Sequence, residues 1–270
     1  MASIAFIGAG NMAKSLIGGL INQGYDAAKI IASDPNSNAL AALRETYNVV
    51  TRDDNLQACA EANTIVLAVK PQVIKSVAQN LRPGLDRQSL IISIAAGVNS
   101  DQLGGWLGDD LAIVRCMPNT PALVGMGASG LYANPLVDRE QKQMAEKLFN
   151  AVGNCIWLNN EKLIDVVTAV SGSGPAYFFL LMEAMINTGI QQGLTADQAR
   201  KLTLQTAAGA AVLAQDSDVS VHELRRRVTS PGGTTEQAVL SFEKAGFPTV
   251  IADAMIACIA RSQEMTKEFG

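Results

Sequence analysis

A chain of 270 residues is long enough for two domains with separate cores. Its 48% hydrophobic and 17% charged residues suit a globular protein that buries much of itself, and a net charge of −4 argues against nucleic acid or an anionic membrane as partner. Four widely spaced cysteines with no C-x-x-C pair, and a single histidine, His222, form no Cys/His metal motif; free thiols in a reducing, cytoplasmic setting are the simpler account.

Ile4-Ala5-Phe6-Ile7 predicts a first strand, without the cationic segment and cleavage site of a secretory leader, and a helix follows over 13–23. Lys29 to Asp34 reads as a second strand before a helix over 39–47, and Thr64 to Val69 as a third before a helix over 73–81. Ser89 to Ile94 and Ala112 to Met117 are the fourth and fifth strands. These runs are apolar nearly throughout, as parallel strands covered on both faces are, so 1–160 is expected to be a doubly wound parallel α/β sheet. The pattern changes around Asn159-Asn160-Glu161. Helices are expected over 176–192, 196–215, 234–245 and 249–268, making 161–270 an all-helical domain. Thr195 with Gln198 supplies a capping box to the second of these. The stretch 203–214 is dense in Ala, Gly and Leu and lets another helix approach, from this chain or from a second copy. Val166 to Ile186 is the most apolar segment, but Ser171-Gly172-Ser173-Gly174-Pro175 and Glu183 interrupt it, which predicts a buried helix rather than a membrane span. Arg225-Arg226-Arg227 reads as a solvated helix face.

Between the first strand and the first helix stands Gly8-Ala9-Gly10-Asn11-Met12-Ala13, a G-x-G-x-x-A in strand–turn–helix context. Gly8 permits the tight turn, Gly10 the approach of a pyrophosphate to the backbone, and Ala13 close packing of helix on sheet. The helix N-terminus adds free N–H groups. Dinucleotide binding is therefore expected here. Asp34 ends the second strand with no Lys or Arg beside it. Either it accepts the hydroxyls of an adenosine ribose and favours NAD, or it is a turn residue before Pro35, with Ser33, Asn36 and Ser37 available to a phosphate; the sequence leaves both open. Ala68-Val69-Lys70-Pro71 and Ala95-Ala96-Gly97 end the third and fourth strands, at the edge where such sheets bind ligands, and Lys70 is a candidate there.

Taken together, Gly8 to Met12, Ala68 to Pro71, Met117-Pro118-Asn119-Thr120-Pro121, Ser171 to Tyr177 and Thr229-Ser230-Pro231-Gly232-Gly233-Thr234-Thr235 resemble the pyrroline-5-carboxylate reductase family over nearly the whole chain. The Ser-Pro-Gly-Gly-Thr-Thr run is the most specific of these motifs. The resemblance implies an N-terminal Rossmann domain, a helical C-terminal dimerisation domain, NADPH or NADH as cofactor, and a homodimer that assembles into a decamer. It implies that Ile7, Gly8, Ala9, Gly10, Asn11, Met12, Asn55, Ala68, Val69, Lys70, Pro71 and Ala96 border the cofactor, with Asp34 beside them. Glu161, Ser230, Gly232, Gly233, Thr234 and Thr235 are implied to border the substrate. Asp34 departs from the small hydroxyl residue often found at its position, and Arg227 lies near a family cofactor contact that would serve a phosphate instead.

The residues suit that chemistry. Reduction of a cyclic imine takes a hydride from the cofactor and leaves the protein to orient and to supply charge. An imine nitrogen arrives protonated, so a chain with one histidine is no obstacle. Pro231-Gly232-Gly233 before a helix offers N–H donors to the substrate carboxylate, and the Thr235 hydroxyl is the candidate to relay a proton at the ring nitrogen. Two rivals stand beside this reading. A β-hydroxyacid dehydrogenase would need a helical lysine, for which Lys201 is the interior candidate, with Gln205 where an Asn partner is required. A dinucleotide-sensing regulator would bind cofactor without turnover.

Overall fold

The computed structural model describes residues 3–269. Apolar tetrads rich in isoleucine make the central strands: β1 is Ile4–Ile7, β2 Ile30–Ser33, β3 Val50–Arg52, β4 Thr64–Leu67 and β5 Leu90–Ser93. β6 is Ala112–Met117, β7 Gly127–Ala133 and β8 Gly153–Trp157. They form one eight-stranded sheet in the order β3-β2-β1-β4-β5-β6-β7-β8. β1 to β6 are parallel; β7 runs antiparallel to β6 and β8 parallel to β7. The first six strands follow the dinucleotide-binding order, in which the strand order switches sides between β1 and β4.

Alternation along β1 divides the core. Ile4 and Phe6 enter one layer with Leu16, Ile17 and Leu20 of α1 (Asn11–Asn22), Leu43 of α2 (Ser37–Tyr47), and Phe149. Ala5 and Ile7 enter the other with Ala58 of α3 (Asn55–Ala60), Ile74 and Ala78 of α4 (Pro71–Leu81), and Leu103 of α5 (Ser100–Leu107). Register lines up the strand ends: Ile7 lies opposite Ser33 and Leu67, and Leu67 opposite Ser93. The loops beginning at Gly8, Asp34, Ala68 and Ile94 therefore emerge side by side.

Between β7 and β8 runs α6 (Arg139–Asn150), and after β8 come α7 (Leu163–Val167) and one π-turn (Thr168–Gly172), which leads into α8 (Gly174–Gln191). α9 (Ala196–Gln215), α10 (Val221–Arg227), α11 (Thr234–Lys244) and α12 (Phe247–Phe269) follow. No strand follows β8 among the described residues. The fold is thus a parallel-dominated sheet followed by helices. Compactness groups the described residues of Met1–Pro175 with those of Ala257–Gly270, and leaves Ala176–Ile256 as a second, purely helical unit.

Three strands were illegible in the sequence. β3 has only three residues, and β7 carries two glycines and two alanines, which resist extended structure on their own. β8 alternates exposed and half-buried residues at the sheet margin. The burial expected over 166–186 is not met within the single chain, where Phe178, Phe179 and Leu180 are 64%, 62% and 69% exposed. The continuous helical run Leu163–Gln191 is long and apolar enough to cross a membrane by length and composition alone.

Candidate active site

Gly8 turns the chain out of β1 with φ +107°, a state that side chains adopt only under strain. A Cβ there would lie 2.6 Å from the Ala68 carbonyl oxygen, so the β1 and β4 loops can touch only because residue 8 has no side chain. Gly10 sits differently. It is exposed, a Cβ on it would meet nothing within 4 Å, and as N-cap of α1 it provides no side-chain hydrogen bond. The first N–H groups of α1, from Asn11 and Met12, thus face an open surface at the positive end of the helix.

Ala9 is tied down instead. Its N–H donates to Asp34 Oδ2 at 2.7 Å, and Asp34 Oδ1 accepts the Asn36 N–H at 2.8 Å. The Ser33 hydroxyl donates to Asn55 Oδ1 at 2.7 Å, which joins the start of α3 to the same edge. Lys70 is exposed and precedes Pro71 at the first turn of α4, and Ala96 lies half-buried in the loop after β5. Ile7 to Met12, Asp34, Asn55, Ala68 to Pro71 and Ala96 are therefore gathered along one sheet edge. Open N–H donors suit a pyrophosphate and the fixed carboxylate suits ribose hydroxyls, so the residues present fit a dinucleotide.

Of the expected substrate residues, Glu161 falls in the first unit and Ser230 to Thr235 in the second. Glu161 Oε1 accepts from Arg115 Nη1 at 2.8 Å and from the Ser100 N–H at 2.6 Å, and Oε2 accepts the Ser100 hydroxyl at 2.7 Å. Arg115 is 5% exposed, in the middle of β6. The pair lines a polar cleft of about 720 Å³ with Tyr132, Asn159 and Lys267. Sequence reading overlooked Arg115, although a charge inside an apolar strand is itself a signal of a buried partner.

In the second unit, Gly232 has φ +72° and its N–H donates to Glu236 Oε2 at 2.8 Å. The Gly233 N–H donates to the Ser230 carbonyl at 3.0 Å, closing the turn. Gly233 is the N-cap of α11 and gives no side-chain hydrogen bond, leaving Thr234 and Thr235 on an uncapped first turn. Arg226 and Arg227 both bond Glu223, and Arg225 pairs with Glu243. Lys201 is exposed and pairs with Asp197 at 2.9 Å.

The Met117–Pro121 loop is fixed by Asn119, whose Nδ2 donates to the Ser171 carbonyl at 3.0 Å and whose Oδ1 accepts the Ala128 N–H at 2.9 Å. Burial raises the Cys59 thiol to about 12 and pushes Cys116 well up, so neither is a nucleophile at neutral pH. Among the described residues no cluster of three His, Cys, Asp or Glu is placed to hold a metal.

Residues 161–265 match the family described as pyrroline-5-carboxylate reductase dimerisation, and residues 3–97 match the one described as NADP oxidoreductase, coenzyme F420-dependent. A pyrroline-5-carboxylate reductase of Pseudomonas aeruginosa is 53% identical, over 99% of this chain and 98% of its own length. The structure of a pyrroline-5-carboxylate reductase from Coxiella burnetii superposes with a TM-score of 0.94 at 44% identity, covering 98% of each chain. That of the Plasmodium falciparum pyrroline carboxylate reductase with NADP bound gives 0.88 at 32%, again over 98% of both. With likeness of this extent over essentially the whole length, the chain belongs to the pyrroline-5-carboxylate reductase family.

Proposed function

We infer that the chain reduces the C=N bond of 1-pyrroline-5-carboxylate to give L-proline, as an NAD(P)H-dependent oxidoreductase acting on an imine. The observation that carries this reading is the start of α1, left without a side-chain cap by Gly10, beside the fixed Asp34 carboxylate, in a chain 53% identical to a named reductase of this substrate. When bound, the nicotinamide supplies the hydride. The chain's own residues do the rest. Ile7 to Met12 offer backbone donors to the pyrophosphate; Asp34, Asn55, Ala68 to Pro71 and Ala96 flank the remainder of the cofactor.

The cofactor belongs to residues 1–160 and the substrate to residues 161–270. Ser230, Gly232, Gly233 and Thr234 hold the substrate carboxylate at the open first turn of α11, and Thr235 holds a proton at the ring nitrogen. Glu161, in the polar cleft of the first unit, is neutralised by its pair with Arg115 and is not a free carboxylate. Lys201, exposed and paired with Asp197, gives a hydroxyacid dehydrogenase no buried base.

The exposed apolar face of α8 is covered by a second copy, consistent with the dimerisation family matched over 161–265, and the dimers assemble further into a decamer in the cytoplasm. The decisive assay is steady-state reduction of pyrroline-5-carboxylate with NADPH and NADH side by side, with 3-hydroxyacids as controls. Turnover of the imine acid alone is expected; oxidation of hydroxyacids, or cofactor binding without turnover, overturns the reading. Thr235→Ala should lower kcat on the order of a hundredfold with dinucleotide affinity unchanged; parental turnover removes the role given to Thr235.

A further inference from the structure

We propose that Asp34 sets the cofactor preference of this chain in favour of NADH over NADPH, by accepting the adenosine ribose hydroxyls and repelling a 2′-phosphate. The inference rests on the dinucleotide reading of the β1–α1 edge. Asp34 is not a loose turn residue: both carboxylate oxygens are held, one by the Ala9 N–H at 2.7 Å and one by the Asn36 N–H at 2.8 Å. A carboxylate anchored at the end of β2 keeps its charge where the adenosine ribose of such folds is bound, and each oxygen retains lone pairs for a hydroxyl donor.

Arg227, the other candidate for a phosphate, is paired with Glu223, and the cations of the first unit near this edge are Arg52, Arg44 and Lys70. Arg52 lies opposite Ser33 in register, but its Nε and Nη2 grip both oxygens of Glu61, and its Nη1 bonds the Thr51 carbonyl. Arg44 closes on Thr51 Oγ1 through Nε and Nη2. Lys70 follows β4, two strands from β2 and so roughly 10 Å across the sheet. Asp53 and Asp54 add negative charge after β3, exposed beside Arg52. Glu61 neutralises Arg52, and the single charge of Arg44, bonded only to a neutral hydroxyl, stands against the carboxylates of Asp34, Asp53 and Asp54, so a phosphate dianion placed here meets a net negative field.

The test is fluorescence titration of the full chain with NADH and with NADPH, without substrate, at two ionic strengths. NADH is expected to bind at least about tenfold more tightly, with the gap shrinking in high salt as the repulsion is screened. Asp34→Asn removes the charge yet keeps an oxygen for the Ala9 N–H, and Asp34→Ser replaces the carboxylate by one shorter hydroxyl that cannot hold the Ala9 and Asn36 N–H groups as the two oxygens do. Both variants should bring the NADPH/NADH affinity ratio about tenfold or more toward NADPH. Any loosening of the glycine loop in Asp34→Ser weakens both cofactors alike and cancels in the ratio. If both cofactors bind and the ratio is unchanged in the variants, or the parent prefers NADPH, the inference is overturned while the dinucleotide site stands. If neither cofactor binds the parent, the reading of the site falls and takes the inference with it.

Discussion

Single residues decide whether the cofactor edge exists at all. At Gly8 any side chain meets the Ala68 carbonyl and must also accept φ +107°. Gly8→Ala is therefore expected to cost about 1–3 kcal/mol of stability and to abolish NADH binding, read by denaturant midpoints and by titration. Arg115→Met leaves the Glu161 carboxylate without its cation, and a loss of about 3–5 kcal/mol is expected. A double variant, Arg115→Met with Glu161→Leu, should recover much of that loss, because no uncompensated charge remains; urea unfolding of the set measures it. The glycine fingerprint was legible because its context of strand and helix is local. The bond from Asp34 to Ala9 was not, since it spans 25 positions and needs the pairing of β1 with β2 to exist. The same holds for Arg115, whose partner is 46 positions away.

Elements differ in how strictly they hold their neighbours. The helical run through α7 presses on β7 at Gly130, where a Cβ would sit 2.7 Å from a Val167 methyl, and on β6 at Gly172, where it would meet the terminal methyl of Met117 at 2.6 Å. Valine is stiff at its branch and methionine is supple. Gly130→Ala should cost about 1–3 kcal/mol and Gly172→Ala less than about 1, compared by thermal denaturation. On α10, Arg226 and Arg227 lower the Glu223 carboxyl to about 2. Its contribution is present above the unfolded-state pKa of about 4.3 and is lost as pH falls toward 2, and salt weakens it because the group is exposed. The stability difference between parent and Glu223→Gln across an acid titration should vanish at the low end; a difference that persists there contradicts the pairing. The five apolar parallel strands could be read from sequence because burial on both faces erases polar alternation. β7 and β8 could not, because glycine, alanine and asparagine carry no extended-strand preference and the sheet imposes it.

For the molecule as a whole, exposed phenylalanines on α8 require a cover. Light scattering should give a mass of at least two chains, a melting temperature that rises with protein concentration, and dissociation in Phe179→Glu; a stable parental monomer would rule out the second copy. The change from strands to helices near residue 160 was visible in the sequence, whereas the return of the last helix to the sheet was not, because amphipathic spacing does not say which core receives it. That return has a consequence for biosynthesis. Gly97 lies against Met265, the Gln102 amide donates to the Thr266 carbonyl at 2.7 Å, and the Ser262 hydroxyl donates to Asp165. During translation the sheet thus waits, incompletely sealed, while the intervening residues 176–256 are made and gather into helices of their own.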